Sequence, residues 1–119
     1  MRLVNYQLTP TAEAIRRTVR LAYLLGSAMG ENDADEEETI FHEAIESYEA
    51  RLSLRHKADG RWDLTVRFNR PILGRFVLSA EDLTFRASFD ITGTAKLINL
   101  PAELLKDDDW EISIMIEER

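Results

Sequence analysis

The spacing of apolar residues changes period near the middle of the chain. Between residues 10 and 29, Ile15, Val19, Ala22, Leu25 and Met29 recur at helical intervals, and Leu21, Leu24 and Ala28 widen the stripe. Thr9-Pro10 gives this helix a start, because a threonine can cap the free N–H groups of the first turn and proline suits the first helical position. Glu13 sits near the positive end of the helix dipole, and Gly30 offers a left-handed stop. The second half of the helix is apolar on nearly every side, which predicts burial by more than one neighbour. A second helix is expected over about 36–50. Asp35 would cap it, Glu36 to Glu38 would fill its first turn, and Ile40, Phe41, Ala44, Ile45 and Tyr48 would face inward.

From residue 51 the period is two. Leu52, Leu54 and His56 alternate with Arg51, Ser53, Arg55 and Lys57, and Trp62, Leu64, Val66 and Phe68 alternate with Asp63, Thr65, Arg67 and Asn69. Asp59-Gly60 marks a hairpin turn between the two runs. A two-residue loop would set Leu54 against Thr65 and split the apolar residues between faces. A three-residue loop, Ala58-Asp59-Gly60 with Gly60 left-handed, sets Leu54 against Leu64 and Leu52 against Val66, so burial selects it. Further strands are expected over about 76–79 and 83–92, with another possible over 95–100 and a short helical turn after Pro101. In the last strand, about 110–117, Trp110, Ile112, Ile114 and Ile116 share one face. Its ISIMI core would invite aggregation at an open edge, so it is placed inside a sheet or paired in a dimer.

The order, helices then strands, predicts one α+β domain over 1–119. Two N-terminal helices (about 10–29 and 36–50) would pack on one face of a twisted antiparallel sheet of about five strands (about 51–57, 62–69, 76–79, 83–92 and 110–117). Composition agrees with a folded chain: 119 residues are 45% hydrophobic and 31% charged. The absence of cysteine excludes disulfides and thiolate metal sites. No apolar run approaches the roughly 18 residues of a membrane-spanning helix. The segment 16–30 carries a signal-like basic flank, but Gly26-Ser27 interrupts its apolar run and it reads as helix. A cytoplasmic location is the expectation.

Charge adds a partition that the hydrophobic pattern does not show. The net charge is −7, yet residues 31–50 hold nine acids and no base, while residues 51–75 hold seven bases and two acids. By the alternation, Arg51, Arg55, Lys57, Arg61, Arg67 and Arg86 all lie on the sheet face opposite the core. Trp62, Phe68, Phe85 and Phe89 lie on the core side, so this basic face lacks the aromatic platforms of a single-strand nucleic-acid binder.

Catalytic and metal motifs are weak. The acidic loop with Asp33, Asp35, Glu36 and Glu37 fails the calcium-loop pattern, because Glu38 and Ala44 stand where glycine and glutamate belong. Glu38, His42 and Glu46 would share a helical face, but a zinc-protease helix needs a second histidine where HEAIE has glutamate. His56 falls at the edge of the core with no partner identifiable for general-base chemistry. No catalytic residue, metal ligand or cofactor is assigned. The reading is a small non-catalytic protein-interaction domain of adaptor, inhibitor or immunity type. It would bind a protein through the basic face, the acidic loop or both, and form a homodimer, expected because the first helix is too apolar for one contact surface and ISIMI needs two neighbours. The alternatives are a small enzyme or ligand binder with a pocket between helices and sheet, using His56, Tyr48 or Tyr23, and a polyanion binder through the basic face.

Overall fold

The computed structural model of the chain describes residues 2–29, 38–57 and 59–118. Gly30, Ala58 and the acidic segment with Asp33, Asp35, Glu36 and Glu37 lie outside them. The elements are β1 (Arg2–Gln7), α1 (Thr9–Met29), β2 (Glu38–Ile45), β3 (Tyr48–His56), β4 (Trp62–Phe68), β5 (Gly74–Ser79), β6 (Thr84–Ser88), β7 (Thr94–Leu100), a 3-10 turn at Ala102–Lys106 and β8 (Glu111–Glu118). The strands form two four-stranded antiparallel sheets, one ordered β1-β8-β5-β6 and the other β2-β3-β4-β7. This overturns the expected pair of helices on a single five-stranded sheet.

The second helix is the central error. Residues 36–50 hold, among the described residues, strand β2 and the start of β3, joined by Glu46-Ser47 with Glu46 in the left-handed region at φ 53°. Ile40, Phe41, Ala44 and Ile45 fit helical spacing, but Phe41 and Ile45 also stand four apart on one side of a strand. The segment Thr39-Ile40-Phe41 is β-branched and aromatic, which favours the pleated alternative. Pairing decides the matter, since β3 gives every residue from Glu38 to Ile45 a partner, Arg55 to Tyr48.

Farther along, the alternation holds. The β3–β4 hairpin pairs Leu54 with Leu64, Leu52 with Val66 and His56 with Trp62, the register selected by burial. Gly60 has φ 87°, and Gly60 N–H donates to the Lys57 carbonyl at 3.0 Å. Strand β6 ends at Ser88 rather than about residue 92, because the Asp90 carboxylate gathers the turn. It accepts from Thr92 N–H (2.9 Å), the Thr92 hydroxyl (2.6 Å) and Thr94 N–H (3.1 Å). Strand β8 lies between β1 and β5, so ISIMI is interior.

Both sheets feed one core. Leu52, Leu54, Leu64 and Val66 from one meet Phe76, Leu78, Ile112 and Ile114 from the other, all buried. Trp62 and Trp110 stack across the layers with ring centroids 5.3 Å apart, and Trp110 Nε1 donates to the Leu104 carbonyl at 2.9 Å. Helix α1 packs against β8 and β3, one strand from each sheet, through Ala12, Ile15 and Val19. Its first backbone bond runs from Ala12 N–H to the Leu8 carbonyl, so Leu8, not Thr9, occupies the cap position. The beginning of α1 is tied to β2 by a hydrogen bond from the Thr11 hydroxyl to Glu43. Its later turns are less enclosed: Leu21 is 58% exposed and Leu24 59%, where burial was expected.

Candidate protein-binding interface

The outward face of the β2-β3-β4-β7 sheet is built by strand pairing, row by row. In one row His42 stands opposite Arg51, Arg51 opposite Arg67, and Arg67 opposite Thr94. The next row holds Ile40, Ser53, Thr65 and Lys96. The third holds Glu38, Arg55 and Asp63. Beyond it, Lys57 and Arg61 flank the hairpin turn. Five of the six basic residues expected on one face therefore come together. Arg86 does not: it lies on β6 opposite Val77, in the other sheet. Alternation fixes which side of its own strand a residue takes but not which sheet the strand joins, and the two sheets were merged into one.

The five cations are not equivalent. At the hairpin end, Lys57 Nζ stands 3.3 Å from Asp63 Oδ1 and donates to Asn99 Oδ1, while Arg61 donates to the Asn99 carbonyl at 3.2 Å. Asn99 N–H in turn donates to Asp63 Oδ1 at 2.8 Å, so this corner is an internally satisfied cluster. Arg55 sits between Glu38 and Asp63 in register and is also engaged. The Ser53 hydroxyl donates to Glu38. Arg51 and Arg67 differ: among the described residues neither has a carboxylate within ion-pair distance. Arg67 Nε donates only to the Thr94 hydroxyl, at 3.2 Å. Both guanidinium groups are exposed, and two like charges stand directly opposite each other on neighbouring strands.

Two residues missed in the sequence belong to this face. His42 had been placed on a helix beside Glu38 and Glu46. On β2 it joins the arginine row, while Glu46 lies in the turn, so the supposed metal face is dismantled. Lys96 adds a cation on β7. The period-two reading of Glu38, Ile40, His42 and Ala44 was the signal that could have found the first.

Other concave regions do not converge on chemistry. His56 and Tyr48 stand at opposite ends of β3, and Tyr23 is exposed on α1. Core side chains including Ile15 and Val19 fill the space between α1 and the sheets. Among the described residues no three His, Asp or Glu side chains are grouped to hold a metal ion. An open groove of about 780 Å³ lies between the β4–β5 loop and the β6–β7 turn, floored by Ile72, Phe89 and Ile116. Arg70 on its rim already stacks over the Tyr48 ring at 4.3 Å and donates to the Ser47 hydroxyl at 2.9 Å. Asp90 and Glu117 share that rim, so its charge selects no ligand.

No protein-family model, curated protein sequence or solved structure matches this chain. No helix among the described residues is long and apolar enough to cross a membrane.

Proposed function

We propose that the chain is a non-catalytic binding module that holds an acidic protein surface against the outward face of the β2-β3-β4-β7 sheet. The observation that carries this reading is the opposed pair Arg51 and Arg67. Like charges directly across two strands destabilise a sheet, and the neighbouring Lys57–Asp63–Asn99 cluster shows the satisfied arrangement that the pair lacks. A partner that brings carboxylates to this row would relieve the repulsion, and charge complementarity of that kind sets association rate and partner choice. A protein fits better than a nucleic acid, because the paired residues of this face include no phenylalanine, tyrosine or tryptophan ring for base stacking, only the smaller imidazole of His42.

The test compares four baits in native lysate at near-physiological salt, with and without nuclease: wild type, Arg51→Glu, Arg67→Glu and Arg86→Glu. The expected result is a protein retained by wild type and by Arg86→Glu, and lost by the other two. Equal retention by all four would remove the basic face from the account. A retained species that disappears only on nuclease treatment would mean a nucleic acid instead.

A further inference from the structure

The four terminal strands of the two sheets are unequally protected. Strand β7 has a bulge opposite Trp62–Leu64, a left-handed Asn99 (φ 57°), Lys96, and Pro101 just beyond its end. Bulges, lysine and proline are the usual means of blunting an edge against further pairing. Strand β6 is only five residues long and lies beside β7. Strand β1 has six residues, with an ion pair at one end between Arg2 and Glu118 at 2.8 Å. Strand β2 has eight residues and an unbroken register, and it contains no lysine, proline or bulge. Its inward carboxylate, Glu43, is engaged by the Thr11 hydroxyl.

The turn at Glu46-Ser47 closes the hairpin at the pair Ile45–Tyr48. In an antiparallel ladder built from that pair, Thr39, Phe41, Glu43 and Ile45 bond to β3. Glu38, Ile40, His42 and Ala44 then direct their N–H and C=O groups away from the sheet. Among the described residues no strand receives them. The same four residues form the outermost column of the basic face, so the open backbone edge and the cationic row meet at His42.

We infer that β2 accepts an extended, acidic segment of the partner protein as a fifth strand of this sheet. The inference rests on the protein-binding reading above and specifies how the partner is held. Backbone pairing supplies affinity, and side chains at alternate positions supply specificity. A glutamate on the added strand opposite His42 stands two strand spacings, about 10 Å, from Arg51. The long side chains of the two residues span that gap. A second copy of this chain is the weaker occupant, because edge-to-edge pairing would set one cationic row beside another.

The probe is a short peptide of alternating glutamate and valine. Its controls are the same peptide with lysine for glutamate, and with its central glutamate N-methylated, which keeps the charge and removes the N–H directed at β2. Binding is read by calorimetry, and amide exchange of β2 by NMR. The expected outcome is slowed exchange at Ile40, His42 and Ala44 with the acidic peptide alone. Ala44→Pro should weaken binding about tenfold or more. That change removes an outward N–H and leaves the β2–β3 ladder intact, as edge-strand proline does. Arg51→Gln/Arg67→Gln should weaken binding to a similar degree. If Ala44→Pro does not fold, Ile40→Pro and the exchange pattern carry the test. A proline variant that binds like wild type, while the arginine variant does not, overturns strand addition and leaves the binding face standing. Loss of neither overturns both. Concentration-dependent protection of the same amides without peptide would assign the edge to a second copy and overturn the acidic-strand inference.

Discussion

If Arg51 and Arg67 are kept for a partner, the isolated domain should be more stable without one of them. The chosen perturbation is Arg67→Gln, which keeps most of the aliphatic stem and a donor for the Thr94 hydroxyl that Arg67 now contacts at 3.2 Å. Directly opposed residues have Cβ atoms about 5 Å apart. With the guanidinium charges roughly 6 Å apart in a near-aqueous dielectric, the repulsion is about 0.7 kcal/mol. Screening leaves about 0.6 kcal/mol at ~0.01 M salt, about 0.3 at ~0.15 M, and very little near ~1 M. Both tryptophans, Trp62 and Trp110, are buried in the shared core, so their fluorescence reports global unfolding in urea. The single variants and the Arg51→Gln/Arg67→Gln double variant form a cycle that isolates the pair. The coupling should be repulsive and should shrink as salt rises. An attractive or salt-independent coupling would refute the claim that these two charges oppose each other uncompensated.

Other expectations follow from the packing. A Cβ on residue 74 would overlap the Met115 carbonyl, so Gly74→Ala must open the β5–β8 pairing; overpacking plus a lost ladder bond should cost about 2–4 kcal/mol in urea unfolding. Ile15→Ala should cost about 2–5 kcal/mol in the same assay, because Ile15 is fully buried where α1 meets both sheets, and a value typical of a surface site would contradict that packing. The Asp90 carboxyl is held below its ordinary range, chiefly by the Thr92 hydroxyl and then by the Thr94 and Thr92 amides. Its stabilising contribution is therefore full above the unfolded value near ~3.9 and lost as pH falls through the lower folded value. Asp90→Asn should flatten that acid limb, which thermal melts across the acid range would reveal.

How much of this arrangement the sequence discloses depends on the scale of the question. Alternation between Leu52 and Phe68 is sufficient to set the β3–β4 register, because only one loop length buries Leu54 with Leu64. It cannot decide residues 38–45, where Phe41 and Ile45 satisfy both periods and the outcome rests on pairing with β3. Strand β1 was missed because it buries little: Val4 and Tyr6 are only half-buried on its inner side. The division into two sheets is invisible locally, since Phe76 and Leu78 would alternate identically in either. That is why Arg86 was placed with Arg67 and is not found there. Arg51 and Arg67 were legible as outward residues, while their lack of counter-charge required knowing where Asp63 and Asn99 point. The expected dimer loses one of its two grounds, because ISIMI already has neighbours on both sides.

The position of β8 also bears on how the molecule is assembled. It comes after β1, β5 and β6 in the chain, yet it lies at the centre of their sheet, with β1 on one side and β5 on the other. During synthesis β1 has no hydrogen-bonding partner until residues 113–118 have emerged. The β5–β6 hairpin meanwhile leaves open the edge of β5 that later receives β8. The β2-β3-β4 meander is built from local hairpins and needs only β7 for completion. Pairings this distant in sequence slow folding. Nascent chains stopped before β8 should therefore protect the meander from protease while leaving β1 cleavable, and equal protection of β1 in such chains would refute this order.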